Sequence, residues 1–356
     1  MSEIKVNSIK GVGASTAAIT VNNTDGTCTA NITNKPNRNL IINGAMQVAQ
    51  RGTSSTSGGY QTVDRFPSYH TGGAVTQSQG SLTSGSPFEK GFTKYLRITN
   101  TTANTGTDGA RSIIPKLEAQ DIANSGWNYK SSSSYITLSF WVRSSVNQEF
   151  YILAQTQDGT KQAYPFSIGT LSENTWTKVT HSIPGNSNIT MDNNTENGLQ
   201  FFIYAFLGTD FTSSSVSLNA WGAYSSSART PDYTNTWAAT TNATFDITGL
   251  QLEVGSVATD FEHRSFAQEL LLCQRYYAVA GVITADGTPE RYHNNISLPV
   301  DMRTSPTRSV GAIETGSGAT MAPNYEQGLA NSKRHFYQGS ANSAISGAWF
   351  IFEAEL

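Results

Sequence analysis

Side chains from Tyr135 to Arg143 alternate in character. Ile136, Leu138, Phe140 and Val142 fall on one face, and Tyr135, Thr137, Ser139, Trp141 and Arg143 on the other. A period of two marks a half-buried strand and rules out a helix over the same residues. The stretches 150–157, 176–183, 199–207 and 245–254 read the same way, with polar loops such as 186–197 between them. Many strands with no helix between them predict a sandwich or jelly roll. Composition agrees. Of 356 residues only 14% are charged and 37% hydrophobic. Ser, Thr, Asn and Gly fill the gap, and these suit turns and exposed strand faces.

The ends of the chain differ from its middle. Residues 1–36 are glycine- and threonine-rich, with Ile4, Val6, Ile19 and Val21 set among polar neighbours and a hairpin turn expected at 22–26. So few apolar residues cannot bury a core alone, so this lead is expected to pack on its own copies or on a larger assembly. Near 265 the pattern turns helical. Ser265 and Gln268 have capping-box spacing, and Phe266, Leu270, Cys273 and Tyr277 form one stripe. A helix this short is marginal alone, so the stripe must dock, either on its own domain or around a symmetry axis. Beyond it, 292–300 reads as a strand stopped at Pro299, 321–346 as polar loop, and Trp349, Phe350, Ile351 and Phe352 as an apolar strand that needs pairing.

Net charge is -3, with Lys and Arg scattered, which gives no footprint for nucleic acid. No window is long and apolar enough to span a membrane, and residues 1–10 lack the apolar stretch of a secretory signal, so a cytosolic origin is expected. Cys28 and Cys273 are too far apart to suggest a disulfide framework or zinc cluster, and are read as reduced.

Three stretches resemble a phage fibre family. The first is 39–52, with Asn39, Asn43, Gly44, Met46, Gln50 and Arg51, followed by Val63, Asp64, Arg65 and Phe66. It is similar to the opening of a carbohydrate-binding-module-like jelly roll in tail fibres of marine short-tailed (cyanophage-like) phages. The second is 250–264, continuing through Glu269 and Leu270 to Tyr277. It is similar to the segment that ends that roll and starts the next helix. The third is 298–307, with Pro299, Met302 and Arg303, together with Glu353, Ala354, Glu355 and Leu356. The resemblance implies a virion-attachment segment at 1–37, a jelly roll at 38–262, a linking helix at 263–280 and a C-terminal β domain at 281–356. It further implies a homotrimer in the virion, assembled in the host cytoplasm. Residues 1–37 would grip a tail or capsid protein, and the distal part would contact a host surface polysaccharide. A head fibre or capsid decoration protein, a polysaccharide depolymerase and a free bacterial carbohydrate-binding protein are the alternatives.

Sugar recognition needs flat aromatic faces beside hydrogen-bonding groups. Trp141, with Tyr135, lies on the polar face of its strand. Trp221, Tyr233 and Trp237 lie in a loop-rich stretch, and these five are the candidate saccharide contacts. Trp176 is read as core, Trp349 as packing or interface, and His263 as a domain-boundary contact. Phe266, Leu270, Cys273 and Tyr277 are the candidate trimer interface. No cofactor is expected. The resemblance leaves a structural calcium ion open, near Asp246, Glu253, Asn43 and Gln47, although the acidic positions are sparse for that cation. Asp64, Asp158, Asp232, Asp246 and Glu253 form no recognisable glycosidase pair, and the five histidines have no metal-ligand spacing, so catalysis is not expected.

Overall fold

The structure is a computed structural model. It describes residues 6–13, 15, 17–21, 24, 28–30, 36–282, 291–315, 321–328, 334–341 and 345–356. The lead contributes a small antiparallel sheet of β1 (Ser8–Ile9), β2 (Ile19–Val21) and β3 (Cys28–Ala30). The turn expected at 22–26 lies largely outside the described residues, and the strands beside it pair antiparallel.

The main body is a two-sheet antiparallel sandwich. Its first strands are β4 (Ser54–Ser55), β5 (Ser68–Thr71), β6 (Val75–Ser81), β7 (Lys94–Asn100), β8 (Ala110–Ile113) and β9 (Lys116–Glu118). The long ones follow: β10 (Tyr135–Ser144), β11 (Gln148–Thr156), β12 (Gln162–Leu171), β13 (Thr177–Pro184) and β14 (Asn197–Leu207). The short β15 (Gly222–Ala223) and the long β16 (Ala243–Val254) complete the set. The front sheet runs β13-β10-β16-β7-β6-β4. The back sheet runs β15-β12-β11-β14-β8-β5, with β9 also on β14. The chain crosses between sheets after β4, β5, β7, β9, β10, β12, β13 and β15, the winding of a jelly roll.

Alternation sets which residues meet between the sheets. Ile136, Leu138, Phe140 and Val142 point inward with Phe245, Ile247, Leu250 and Leu252, against Phe150, Ile152, Phe166, Phe201 and Ile203 of the back sheet. Each such side chain contributes about 1.5–3 kcal/mol on burial. His181 of β13 also faces inward and stacks on Phe166, with centroids 4.0 Å apart and planes 7° apart. Its Nε2 is buried and meets no described partner. Burial therefore lowers the His181 pKa below 6.5. A histidine depressed in the folded state contributes full stability above its unfolded pKa and loses it as pH falls through that value. Wild type should lose stability between pH 7.5 and 5.5, and His181→Phe should lose less. Urea midpoints at the two pH values check this; equal losses would remove His181 as the cause.

Three short helices, α1 (Ser86–Glu89), α2 (Ala119–Ala123) and α3 (Thr236–Ala239), decorate the sandwich, and α4 (Phe266–Gln274) leaves it. The Ser265–Gln268 capping box forms as expected. Two three-stranded antiparallel sheets follow. One is β17 (Tyr277–Val282), β22 (Ile345–Glu353) and β19 (Thr307–Thr315), with β22 central. The other is β18 (Arg291–Ser297), β21 (Arg334–Ala341) and β20 (Met321–Gly328), with β21 central. The terminal apolar strand is thus paired on both sides. The expectation of loop over 321–346 is corrected: β20 and β21 occupy much of it, because ladder pairing does not require apolar side chains. Among the described residues no helix is long and apolar enough to cross a membrane.

The three sequence stretches that carry the family resemblance converge on one junction. The Asn39 amide nitrogen donates to the Leu250 carbonyl, its Oδ1 accepts from Leu252 N–H, and Gly44 abuts Leu250 so closely that a Cβ would lie 2.0 Å from that carbonyl oxygen. The Asn43 N–H donates to Glu269 of α4 at 2.6 Å. Gln50 Nε2 donates to the Tyr277 carbonyl at 2.9 Å. Arg303 reaches the Ala354 and Glu355 carbonyls at 2.8 and 3.0 Å and the Thr195 carbonyl of the sandwich at 2.8 Å. Arg65 pairs with Glu355, and its Cζ lies 3.4 Å from the Tyr276 ring centre. Sandwich, helix and C-terminal sheet are fastened by buried polar contacts.

Candidate functional site

The outer face of the front sheet carries Thr137, Ser139, Trp141 and Arg143 from β10. Register places Glu253, Gln251, Thr248 and Asp246 of β16 beside them. One end of this face is closed. Glu253 accepts from Thr259 and Gln251, Arg38 lies 3.5 Å away, and Thr137, Ser139, Gln251 and Glu253 are buried. The other end is open. There Asp246, fully buried, accepts Nε and Nη2 of Arg97 at 2.7 and 2.9 Å, and Nε and Nη2 of Arg143 at 2.9 and 2.7 Å. Its carboxylate is shared by two guanidiniums whose side chains remain 31% and 25% exposed.

Two aromatic rings frame this trio. Arg143 Cζ lies 4.7 Å from the Trp176 ring centre and 5.7 Å from that of Tyr95, and Arg97 Cζ lies 5.2 Å from Tyr95. Tyr95 and Trp176 meet edge to face at 5.9 Å. Tyr95 lies flat across β6 because residue 80 is glycine; a Cβ there would sit 2.2 Å from the ring. Trp141 stands one rung along, opposite the exposed Lys178. It is half-buried and packs against the cluster of Ala45, Leu82 and Phe92, and no described cation lies over its ring. The arrangement offers one part-exposed indole, two anchored guanidiniums and an ammonium.

The other predicted contacts lie elsewhere. Tyr135 pairs with Pro184, whose carbonyl accepts the Trp221 indole N–H at 2.6 Å, so these two share one end of the sandwich. Six residues of strand separate Tyr135 from Trp141, roughly 20 Å. Trp221 packs on Tyr164 at 5.3 Å and is half-buried. Tyr233 lies on the outer face of the back sheet against Tyr151 at 5.2 Å, and its hydroxyl bonds to the Leu207 backbone. Trp237 needs correction: α3 turns it into the sandwich core, where it is fully buried and presents no face to a sugar. Trp176 is corrected the other way, from core to the outer cluster. Arg97, Arg143 and Tyr95 were missed. The one available signal was Arg143 two residues from Trp141 on the same polar face.

The helical stripe also divides. Cys273 is a buried free thiol whose pKa burial raises, and Tyr277 is buried with Arg51 Cζ 3.7 Å from its ring centre. These two are corrected to contacts within the chain. Phe266 is 56% exposed and Leu270 half-buried, while Leu271 adds a further exposed side chain. His263 packs against Phe92 and Phe261, where the sandwich ends. Of the oxygen groups considered for calcium, Asp246 and Glu253 are engaged as above, and Asn43 bonds to Val48 and Asp64. Among the described residues no three acidic, His or Cys side chains cluster to hold a metal.

No protein-family model matches this sequence, and no curated protein matches it. Solved structures similar to it include the enzymatically active domain of bacteriophage CBA120 tailspike protein 4. That likeness has 11% identity and a TM-score of 0.34, and covers 62% of this chain but only 22% of that one. A CBM4 structure matches at 10% identity over 60% of this chain and 99% of that one, TM-score 0.32. The family 11 carbohydrate-binding module of Clostridium thermocellum, in complex with a β-1,3-1,4-mixed-linked tetrasaccharide, matches at 12% over 58% and 98%, TM-score 0.28. No residue role follows from likeness at this level.

Proposed function

We propose that this chain is a structural protein of a phage particle, a tail fibre that attaches through residues 1–37 and contacts a host surface glycan with its sandwich. The observation that carries the binding half is the open end of the front sheet, where Trp141, Trp176 and Tyr95 stand beside two anchored guanidiniums. The Trp141 ring supplies stacking, and the guanidiniums that Trp176 and Tyr95 hold in place supply N–H donors for hydroxyl or acidic groups. The particle half rests on the resemblance of the three junction stretches, which the fold brings together. The reading includes no hydrolytic step: both oxygens of Asp246 are held by arginines and those of Glu253 by its neighbours, so neither is free to activate water. A homotrimer suits a weak single site, since joint engagement raises avidity roughly 10²–10⁴-fold. The exposed Phe266 and Leu271 offer apolar surface for contact between copies.

Trp141→Ala tests the site. Losing an aromatic contact removes about 1.4 kcal/mol, so glycan affinity should fall roughly tenfold while the fold persists, because the half-buried ring lies outside the main core. Adsorption of purified protein to host cells checks it, and unchanged adsorption would remove Trp141 from the binding face.

A further inference from the structure

We infer that the ligand of the Trp141 platform is an anionic saccharide, one bearing carboxylate, sulfate or phosphate groups; this rests on the reading of that face as a glycan site. Charge is the first argument. Arg97 and Arg143 share the single carboxylate of Asp246, which leaves one net positive charge on the cluster. Lys178 on the adjoining rung is exposed, and no described carboxylate pairs with it. Glu173, in the loop before Trp176, forms no ion pair with either guanidinium and accepts instead from Asn174.

Donor geometry is the second. Asp246 uses the Nε–Nη2 edge of each guanidinium. The end-on edge, Nη1 with the remaining Nη2 N–H, has no acceptor among the described residues. That edge is the planar fork that matches a carboxylate or an oxyanion ester bidentately. The guanidiniums are also held before ligand arrives, by Asp246 beneath and by the Trp176 and Tyr95 rings beside them. Little ordering is left to oppose binding.

The third argument is what the rings no longer offer. Guanidiniums already lie over Trp176 and Tyr95, so those faces are poor stacking surfaces for a neutral sugar. Among the described residues, Trp141 carries no such cation over its part-exposed ring. A neutral glycan would meet one ring and a surplus of cationic donors, whereas an acidic one meets that ring and a matched fork.

The test is direct binding by titration calorimetry, using the full chain with four probes: oligogalacturonate, its methyl ester, dextran sulfate and dextran. The expected result is at least tenfold tighter binding of one or both acidic probes than of their neutral partners. Affinity should weaken severalfold between 50 and 500 mM NaCl, as screening of exposed charges requires. Arg143→Gln and the surface variant Lys178→Gln should each reduce the acidic preference, with thermal melts confirming folding. Whichever acidic probe binds more tightly assigns the group. If Arg143→Gln does not fold, the salt dependence of wild type and the Lys178→Gln result still decide. Equal, salt-insensitive binding of acidic and neutral probes that Trp141→Ala weakens would overturn this inference and leave the glycan reading standing. Acidic preference that survives all the charge variants would also overturn it. Binding of none of the four at millimolar concentration would overturn both.

Discussion

Asp246→Ala should lower the unfolding free energy by about 3 kcal/mol, the low end of what breaking a buried ion pair costs. The carboxylate is fully buried in the middle of the front sheet and takes four N–H bonds from two arginines. Removing it leaves two cations side by side, with their mutual repulsion uncompensated. The value sits at the low end because Arg97 and Arg143 are 31% and 25% exposed and can recover some hydration. An exposed pair would behave differently: its contribution is about 0–1 kcal/mol and fades with salt. Urea unfolding in low and high salt therefore separates the two. A loss under 1 kcal/mol, or one erased by 0.5 M NaCl, would show the trio to be an ordinary surface pair. It would also weaken the case that the guanidiniums are anchored for ligand.

This trio shows where the sequence was legible and where it was not. The β10 strand could be read at once, because four apolar residues alternate with polar ones. Trp141 stood out for the same reason, as a large ring on the polar face. The partners of Arg143 could not be read: Asp246 lies 103 residues away, and Arg97 a further 149 from Asp246 in the other direction along the chain. Periodicity carries no information on register. Strand β6 was also missed, because its inward position 77 holds a glutamine. Gln77 is fully buried yet bonded to Thr62, Ser57 and Gly59, so hydrogen bonds replace the apolar side chain the pattern looks for. Trp237 misled for the opposite reason. Its polar neighbours read as an exposed loop, whereas a single turn of helix points the ring inward. Helix α4 was legible in its cap and only half legible in its stripe. Glu269 lies buried on its inner side, held by the Asn43 N–H, and an acidic residue does not announce itself as a docking contact.

The junction is the second place where one substitution should have a large effect. Glu118 ends β9 in the back sheet and is fully buried. It accepts Nε and Nη2 of Arg275 at 2.8 Å each, the Tyr276 hydroxyl at 2.5 Å and the Gln120 amide at 2.6 Å. Tyr276 is 1% exposed, and burial together with the neighbouring carboxylate raises its pKa, so its hydroxyl needs an acceptor. Glu118→Ala removes that acceptor and the counter-charge of Arg275 together. The expected cost is about 4 kcal/mol, within the range for a broken buried pair. The loss should be local. Arg275 and Tyr276 join α4 to β17, so amide hydrogens of 266–282 should exchange faster. The β10–β16 pairing, held by the hydrophobic core, should keep its protection. Hydrogen exchange followed peptide by peptide checks both parts. If protection falls equally in β10 and β17, the sandwich and the C-terminal sheet unfold as one unit, and Glu118 is a general stabiliser. If neither changes, the hydroxyl and the guanidinium have found other acceptors, and the junction depends instead on Arg65 with Glu355 and on Arg303 with the Ala354 carbonyl.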